Sequence, residues 1–371
     1  MKRSLLSILR LGLGTTTTAD EKSQKLLHLS IDQWREMMAL AEQQGVLAIV
    51  VDGLQVLMES HKGEIVAQNE NPENWQLWLL ENIGQLTQYE MMNHQQKKVI
   101  ADLSEKWAAE SIQMMVFKGQ ANAAFFPKPE HRAVGDIDCW LFGDAEKGDE
   151  IARAHGAEVS FDWYRHSKIA YKDETIENHR VMSHTRGSKA KQAMENDLRF
   201  MVNGEWLTVI DGCGKAMMPS PQFNACFLTY HGLHHFLSEG LRMKQILDWA
   251  MFLQKEQDKV DWNAYWNFCK KYKLEKFAEV MNYLADKQLG VECHTGISDS
   301  EEIKVLAEKV LQSTLYDDDY LFNSGKSDWM VRWLLVKNML TRDRWKYKDV
   351  AKENVLKHLW QNTTGYLFDK D

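Results

Sequence analysis

Apolar residues recur at three- and four-residue spacing through both ends of the chain, and alternation with polar residues is confined to the middle. Leu5, Leu6, Leu9 and Leu13 share one helical face. The same stretch has the basic start and short apolar run of a secretory signal. Arg10 interrupts that run and no small-x-small cleavage site follows, so a docked amphipathic helix is the expectation. Ser30 with Gln33 makes a capping box ahead of a helix carrying Trp34, Met37, Met38 and Leu40, and Gly45 ends it. A second apolar stretch runs from Val46 to Met58 and a long amphipathic one from Trp75 to Ala109, so residues 1–110 are expected to be helical.

At Ser111 the period changes. Ile112 to Phe117 is a short apolar β-type run ending at Lys118-Gly119, and Gln120 to Phe126 then predicts a helix stopped before Pro127. Asp136 to Phe142 predicts a strand, and Asp144 to His155 a helix. Further strands are expected near Glu158–Asp162, Lys168–Tyr171 and Thr175–Val181. A polar loop follows over 183–196, with strands at Leu198–Val202 and Trp206–Ile210. The Met218-Pro219-Ser220-Pro221 string reads as a boundary. Beyond it, helical periods fit Phe223–Leu237, Leu241–Leu253, Trp262–Tyr272, Glu275–Leu289, Glu301–Thr314, Trp329–Leu340 and Asp349–Trp360. The expected organisation is a helical region over 1–110, an α/β domain over 111–218 and a helical domain over 219–371.

Composition fits a packed, helix-rich chain: 371 residues, 44% hydrophobic, 26% charged, with only 5 prolines against 14 Trp, 18 Met and 14 Phe. A net charge of −8, from 45 basic and 53 acidic residues, repels phosphate backbones and disfavours long nucleic acid as a partner. The five cysteines are scattered without a Cys-x-x-Cys pair, which argues against a disulfide framework or structural zinc and suits a reducing cytoplasm. No run approaches the roughly 18 apolar residues of a membrane span.

Chemistry concentrates in one segment. Asp136 and Asp138 alternate on the expected strand, so both side chains point to one side, about 7 Å apart at about 3.3 Å rise per residue, and can reach a shared cation. Two hard carboxylates suit Mg²⁺, which completes its shell with water and phosphate oxygens. Gly119 sits where strand yields to helix, with no side chain to block a phosphate. Lys118 and Arg132 add cations that can balance a triphosphate, or Arg132 can simply pair with Asp136 or Asp138.

The run VFKGQANAAFFPKPEHRAVGDIDCWL resembles the nucleotidyltransferase-like family of bacterial proteins, marked by Lys-Gly, a short helix, Arg-x-x-Gly-Asp-Ile-Asp and a later strand glutamate, within the DNA polymerase β-type nucleotidyltransferase superfamily. RLGLG near the start and FNACFLTYHGLHHFLSEGLRMKQILDWAMFL are also similar to segments of these proteins. The resemblance implies an α+β fold, a mixed-sheet palm-like core with flanking N-terminal helices and a C-terminal helical domain. It implies Glu177, in Ile176-Glu177-Asn178-His179, as a third metal-binding and catalytic carboxylate beside Asp136 and Asp138, with Lys118, Gly119 and Arg132 facing the triphosphate. The implied reaction moves a nucleoside monophosphate from an NTP, with ATP the expected co-substrate, to an acceptor, using one or two Mg²⁺ ions and releasing pyrophosphate. Two departures stand out. Gln120 replaces the superfamily's serine after the loop glycine, and Cys139-Trp140 is bulkier than usual and is expected to reshape the pocket. A catalytically silent member that binds a nucleotide or a partner protein is the alternative, and a metal-dependent phosphohydrolase a third.

Other candidates have plainer readings. His231, His234 and His235 fall on a predicted helix and read as packed or capping histidines, with a place in the cleft as the alternative. His166 and His179 read as surface imidazoles, with help in proton transfer as the alternative; Arg242 and Lys244 read as a solvated helix start, with neutralising a nucleotide as the alternative; Asp317-Asp318-Asp319 reads as an exposed acidic turn.

Overall fold

A computed structural model describes residues 1–18, 20–67, 72–162, 164–183, 185, 188–203, 207–316 and 327–359; the Asp317–Asp319 turn lies outside them. The N-terminal region is helical as its periodicity predicts: α1 (Lys2–Gly12), α2 (Glu21–Gln24), α3 (Ile31–Gln43), α4 (Leu47–Ala67) and α5 (Pro72–Ala109). Ser30 Oγ accepts from Gln33 N and Gln33 Oε1 accepts from Ser30 N, closing the capping box of α3. Leu5, Ile8 and Leu9 of α1 are buried in the main core.

Seven strands form one mixed sheet in the order β3-β4-β5-β2-β1-β7-β6. They are β1 (Met115–Val116), β2 (Ile137–Trp140), β3 (Glu158–Asp162), β4 (His166–Tyr171), β5 (Glu174–His179), β6 (Thr208–Val209) and β7 (Met217–Met218). The pair β2–β5 is parallel, as is β1–β7, and the other neighbours are antiparallel. The helix expected after Gly119 is a single turn, α6 (Gln120–Ala123), and α7 (Ala145–Ala154) follows β2.

The polar stretch after β5 differs from expectation. Its later part is a helix, α8 (Lys189–Asn203), where a loop and a strand at Leu198–Val202 were expected. Met194, Leu198 and Val202 repeat every four residues and bury together, which is a helical face hidden in a charged sequence. Buried Glu195 fixes the helix by accepting from Met182 N, Ser183 N, Ser183 Oγ and Arg199 Nε.

The C-terminal periods resolve into α9 (Pro221–Ser238), α10 (Met243–Glu256), α11 (Trp262–Tyr272), α12 (Glu275–Tyr283), α13 (Glu301–Tyr316) and α14 (Asp328–Leu340). Leu284–Gln288 continues α12 as a π-helical turn, and the expected 349–360 helix is instead a π-helical turn at Lys346–Val350 and a short helix over 355–359. Two apolar clusters organise the chain. The larger joins α1, α3, α4 and α5, the upper face of the sheet, and the helices α8 to α13. The smaller lies under the sheet, between it and the second half of α5 with α7. All five cysteines are buried and none forms a disulfide, Cys139 and Cys213 in the smaller cluster and Cys226, Cys269 and Cys293 in the larger.

Candidate active site

Alternation along β2 decides which face carries the chemistry. Ile137 and Cys139 are buried in the smaller cluster below the sheet, so Asp136 and Asp138 point to the upper face. β5 repeats the pattern. Ile176 is buried below, and Asn178 Nδ2 donates downward to Ala145 O and Asp149 Oδ1, both at 2.8 Å, which leaves Glu177 and His179 above. Asp138 and Glu177 are register partners on these two parallel strands. Neighbouring strands lie about 4.8 Å apart, so the two carboxylates stand side by side. Asp149 also accepts from Ser167 Oγ at 2.6 Å and Arg180 Nη2 at 3.0 Å, locking β4 and β5 from beneath.

Lys118, Gly119, Arg132, Asp136, Asp138 and Glu177 all line one cavity of about 500 Å³. α9 and α10 complete its walls with His231, His234, His235, Lys244 and Asp248, among others. Neither Cys139 nor Trp140 reaches it: Cys139 is below the sheet and Trp140 packs in the larger core, so the bulk expected to reshape the pocket does not.

Gly119 has φ +55° and ψ −117°, a left-handed conformation that disfavours any side chain. A Cβ there would meet only Gln96 Oε1, at 4.0 Å. Because α6 is one turn long, its dipole adds little, and Gly119 contributes clearance. Gln120 is buried away from the cavity, its Nε2 donating to Asn93 Oδ1 at 2.9 Å and Gln96 Oε1 at 3.1 Å. These α5 amides also support the Asp136 loop: Asn93 Nδ2 donates to Glu130 O and Arg132 O, and Gln96 Nε2 to Gly135 O. Gln120 thus braces the loop where a serine would face a phosphate.

Arg132 lines the cavity but does not pair with Asp136 or Asp138. Its Nε and Nη2 donate to Asp248 Oδ1 and Oδ2, both at 2.7 Å, and both residues are buried. Its partner is therefore a carboxylate of α10 rather than Asp136 or Asp138, and the bidentate fork is spent on that pair.

The acidic trio is held unevenly. Lys118 Nζ lies 2.9 Å from Asp138 Oδ2, and His179 Nε2 lies 3.0 Å from Asp138 Oδ1. Burial opposes ionisation of Asp138, yet Lys118 and His179 outweigh it and hold the carboxyl well below the usual carboxylate range. Asp136 goes the other way: burial, then the charges of Glu177 and Asp138, raise its pKa. Glu177 is lowered despite burial, through His179, whose Nε2 lies 3.5 Å from Oε2.

His179 and His166 are therefore not surface imidazoles. His179 is buried, and although burial works against the charged ring, Asp138 and Glu177 raise its pKa. His166 Nε2 lies 3.4 Å from Glu177 Oε1. Ligand atoms of His166, Glu177 and His179 fall within 4.8 Å of one another. A ring held as a donor between two carboxylates is a poor metal ligand. Asp136, Asp138 and Glu177 line the same cavity with carboxylate oxygens, although among the described residues the only set gathered within 4.8 Å is that of His166, Glu177 and His179. The three carboxylates, hard and anionic, fit Mg²⁺. On α9, His231 Nε2 sits 3.2 Å from Lys118 Nζ and 2.8 Å from His235 Nε2. Burial first and Lys118 second push the His231 pKa well down and that of His235 to about 4, so both rings are neutral walls of the cleft.

Lys244, expected in solvent, is half-buried in the cavity wall, and Arg165, which no sequence signal singled out, is also in the lining. Asp248, the partner of Arg132, was equally silent in the sequence because α10 meets the Asp136 loop only through the tertiary fold.

A mixed sheet carrying clustered carboxylates beside a glycine turn, covered by helices, places the molecule among α+β proteins with a nucleotidyltransferase-type arrangement. The chain belongs to the family described as uncharacterised nucleotidyltransferase, whose model matches residues 30–290. That span contains every strand of the sheet and the helices α9 and α10 that wall the cavity. Searches of curated proteins and of solved structures return no match. No helix among the described residues is long and apolar enough to cross a membrane.

Proposed function

We propose that this chain transfers a nucleoside monophosphate from an NTP to a nucleophilic acceptor in a Mg²⁺-dependent reaction, on the upper face of the β2–β5 pair. The observation that carries this reading is the register of Asp138 with Glu177 on parallel strands, with Asp136 on the same face beside the open turn at Gly119. Asp136, Asp138 and Glu177 would hold the ion. When bound, Mg²⁺ neutralises phosphate oxygens and lowers the pKa of an acceptor hydroxyl.

The protein's own part is positioning and charge. Gly119 leaves room for the phosphates against the backbone, and Lys118 is close enough to Asp138 to exchange that carboxylate for a phosphate oxygen. The acceptor oxygen attacks the α-phosphorus in line, the bond to the bridging oxygen breaks, and pyrophosphate leaves with that electron pair. The acceptor proton passes to Glu177, kept ionised by His179. Neutral His231 and His235 keep additional positive charge away from Lys118.

The test is pyrophosphate release from α-labelled NTPs with Mg²⁺ across a panel of hydroxyl and phosphate acceptors. Asp138→Asn is expected to cut the rate at least about a hundredfold and to abolish Mg²⁺-dependent triphosphate binding with the fold intact by circular dichroism. Unchanged metal-nucleotide affinity in that variant would count against the assignment. A second reading, nucleotide binding without turnover, draws on Asp138 itself, both of whose oxygens are engaged by Lys118 and His179. Triphosphate binding with no pyrophosphate from any acceptor would favour it, and inorganic phosphate release would favour hydrolysis.

A further inference from the structure

Four of the five lysines and arginines that line the cavity fall into two groups. Lys118 is paired with Asp138 and Arg132 is locked to Asp248. Lys244 and Arg165 are different: among the described residues no carboxylate pairs with either, and Arg165 Nε is buried without a hydrogen-bond partner. The Lys244 stem passes Gly45, where a Cβ would lie 3.0 Å from its Cδ, and its Nζ stands 3.8 Å from where a Cβ on Gly135 would be. That places the ammonium beside the loop leading into Asp136. Asp248, one helical turn along α10, is held by Arg132 and Asn122 and forms no ion pair with Lys244, whose burial its charge only partly offsets. Burial and the neighbouring Arg132 bring the Lys244 pKa down to about 8. Lys244 and Arg165 also both act on His235, which the fold keeps neutral, so the two cations bear on one part of the cavity.

Half-buried cations without an anion cost stability unless a ligand supplies one. Resting on the nucleotide reading above, we infer that Lys244 and Arg165 form the polyphosphate subsite, taking the β- and γ-phosphates of the NTP, while Arg132, the cation expected there, holds α10 to the Asp136 loop. The assignment follows from charge. A triphosphate brings more negative charge than Lys118, already paired with Asp138, can meet alone, and the other carboxylates of the lining add to that charge.

The test is calorimetric titration of inorganic tripolyphosphate, with orthophosphate in parallel, into the full chain in the presence of Mg²⁺. Lys244→Met and Arg165→Met are each expected to weaken tripolyphosphate binding about tenfold to a hundredfold, and Lys244→Arg to restore it to within a few-fold. Lys244→Met should melt at the same temperature as the wild type or higher, since it removes an unpaired charge; Arg165→Lys serves if Arg165→Met does not fold. Tripolyphosphate affinity unchanged in both Met variants would overturn the inference and leave the transferase reading standing. Selective loss of orthophosphate affinity would overturn it in favour of an anionic acceptor at this subsite. Dependence of tripolyphosphate on both residues, with no pyrophosphate release by the wild type, would uphold the subsite and reject the transferase.

Discussion

At the residue scale, the three carboxylates differ in what they cost the fold. Asp136 is exposed and has its pKa raised by burial and by the charges of Glu177 and Asp138, so its ionised form is resisted by the folded state. A carboxyl raised on folding makes the native state bind more protons between its unfolded and folded pKa values. Stability falls as pH rises through that window and stays lower above it. We therefore expect Asp136→Asn to raise the melting temperature of the metal-free protein at neutral pH, by about 1 °C for an exposed charge, while losing Mg²⁺-dependent nucleotide binding. Differential scanning calorimetry with and without Mg²⁺ checks both halves. A lower melting temperature in the variant would mean that Asp136 is a stabilising side chain. The Asp-x-Asp pair was legible in the sequence because strand alternation is local, and Glu177 was legible through the family resemblance. Arg132 was legible as a cation but not in its partner, since Asp248 lies 116 residues away. Lys244 was legible as a positive charge at a helix start but not in its place beside the Asp136 loop, and Arg165, in the turn before β4, carries no local signature; only the tertiary fold brings both to the cavity.

At the element scale, a buried clamp fixes the approach to β2. His131 Nδ1 lies 2.7 Å from Asp52 Oδ2 on α4 and its Nε2 3.1 Å from Glu90 Oε1 on α5, while Lys128 Nζ pairs with Asp52 Oδ1 at 2.6 Å. Burial acts to lower the His131 pKa, but the bonds to Asp52 and Glu90 outweigh it and raise it. A histidine raised on folding contributes stability that is complete below its unfolded pKa of about 6.5 and is lost as pH climbs through the higher folded value. The wild type should therefore lose stability from about pH 6.5 upward. His131→Gln should flatten that component and cost about 1 kcal/mol at pH 6 through the lost bonds to Asp52 and Glu90, since Lys128 still holds Asp52. Urea melts across pH 5.5 to 8.5 measure this, and an unchanged pH slope in the variant would remove His131 from the account. Elements with one clean period, α3, α5 and the C-terminal helices, were readable from spacing. α8 was not, because its apolar face is three residues wide in a charged run and its anchor, Glu195, is a buried acid satisfied by a distant turn.

At the scale of the whole molecule, the segment boundaries suggested by composition are crossed by the packing. The larger core takes Leu5 from α1, Trp140 from β2 and Leu315 from α13 into one apolar body. α5 contributes to both cores, with Trp75 and Trp78 in the larger and Leu103 and Trp107 in the smaller. The five buried thiols turn this arrangement into a clock. Burial raises the pKa of Cys139 well above the ordinary thiol value, that of Cys213 to about 11 and that of Cys269 to about 12, so in the native state these sulfurs are both shielded and protonated. An aromatic disulfide reagent should find almost nothing to react with until the chain opens. If the two cores part together, Cys139 and Cys213 will be modified at the same rate as Cys226, Cys269 and Cys293; two kinetic phases, sorted by peptide mass, would instead show the sheet domain opening independently of the helices that roof it.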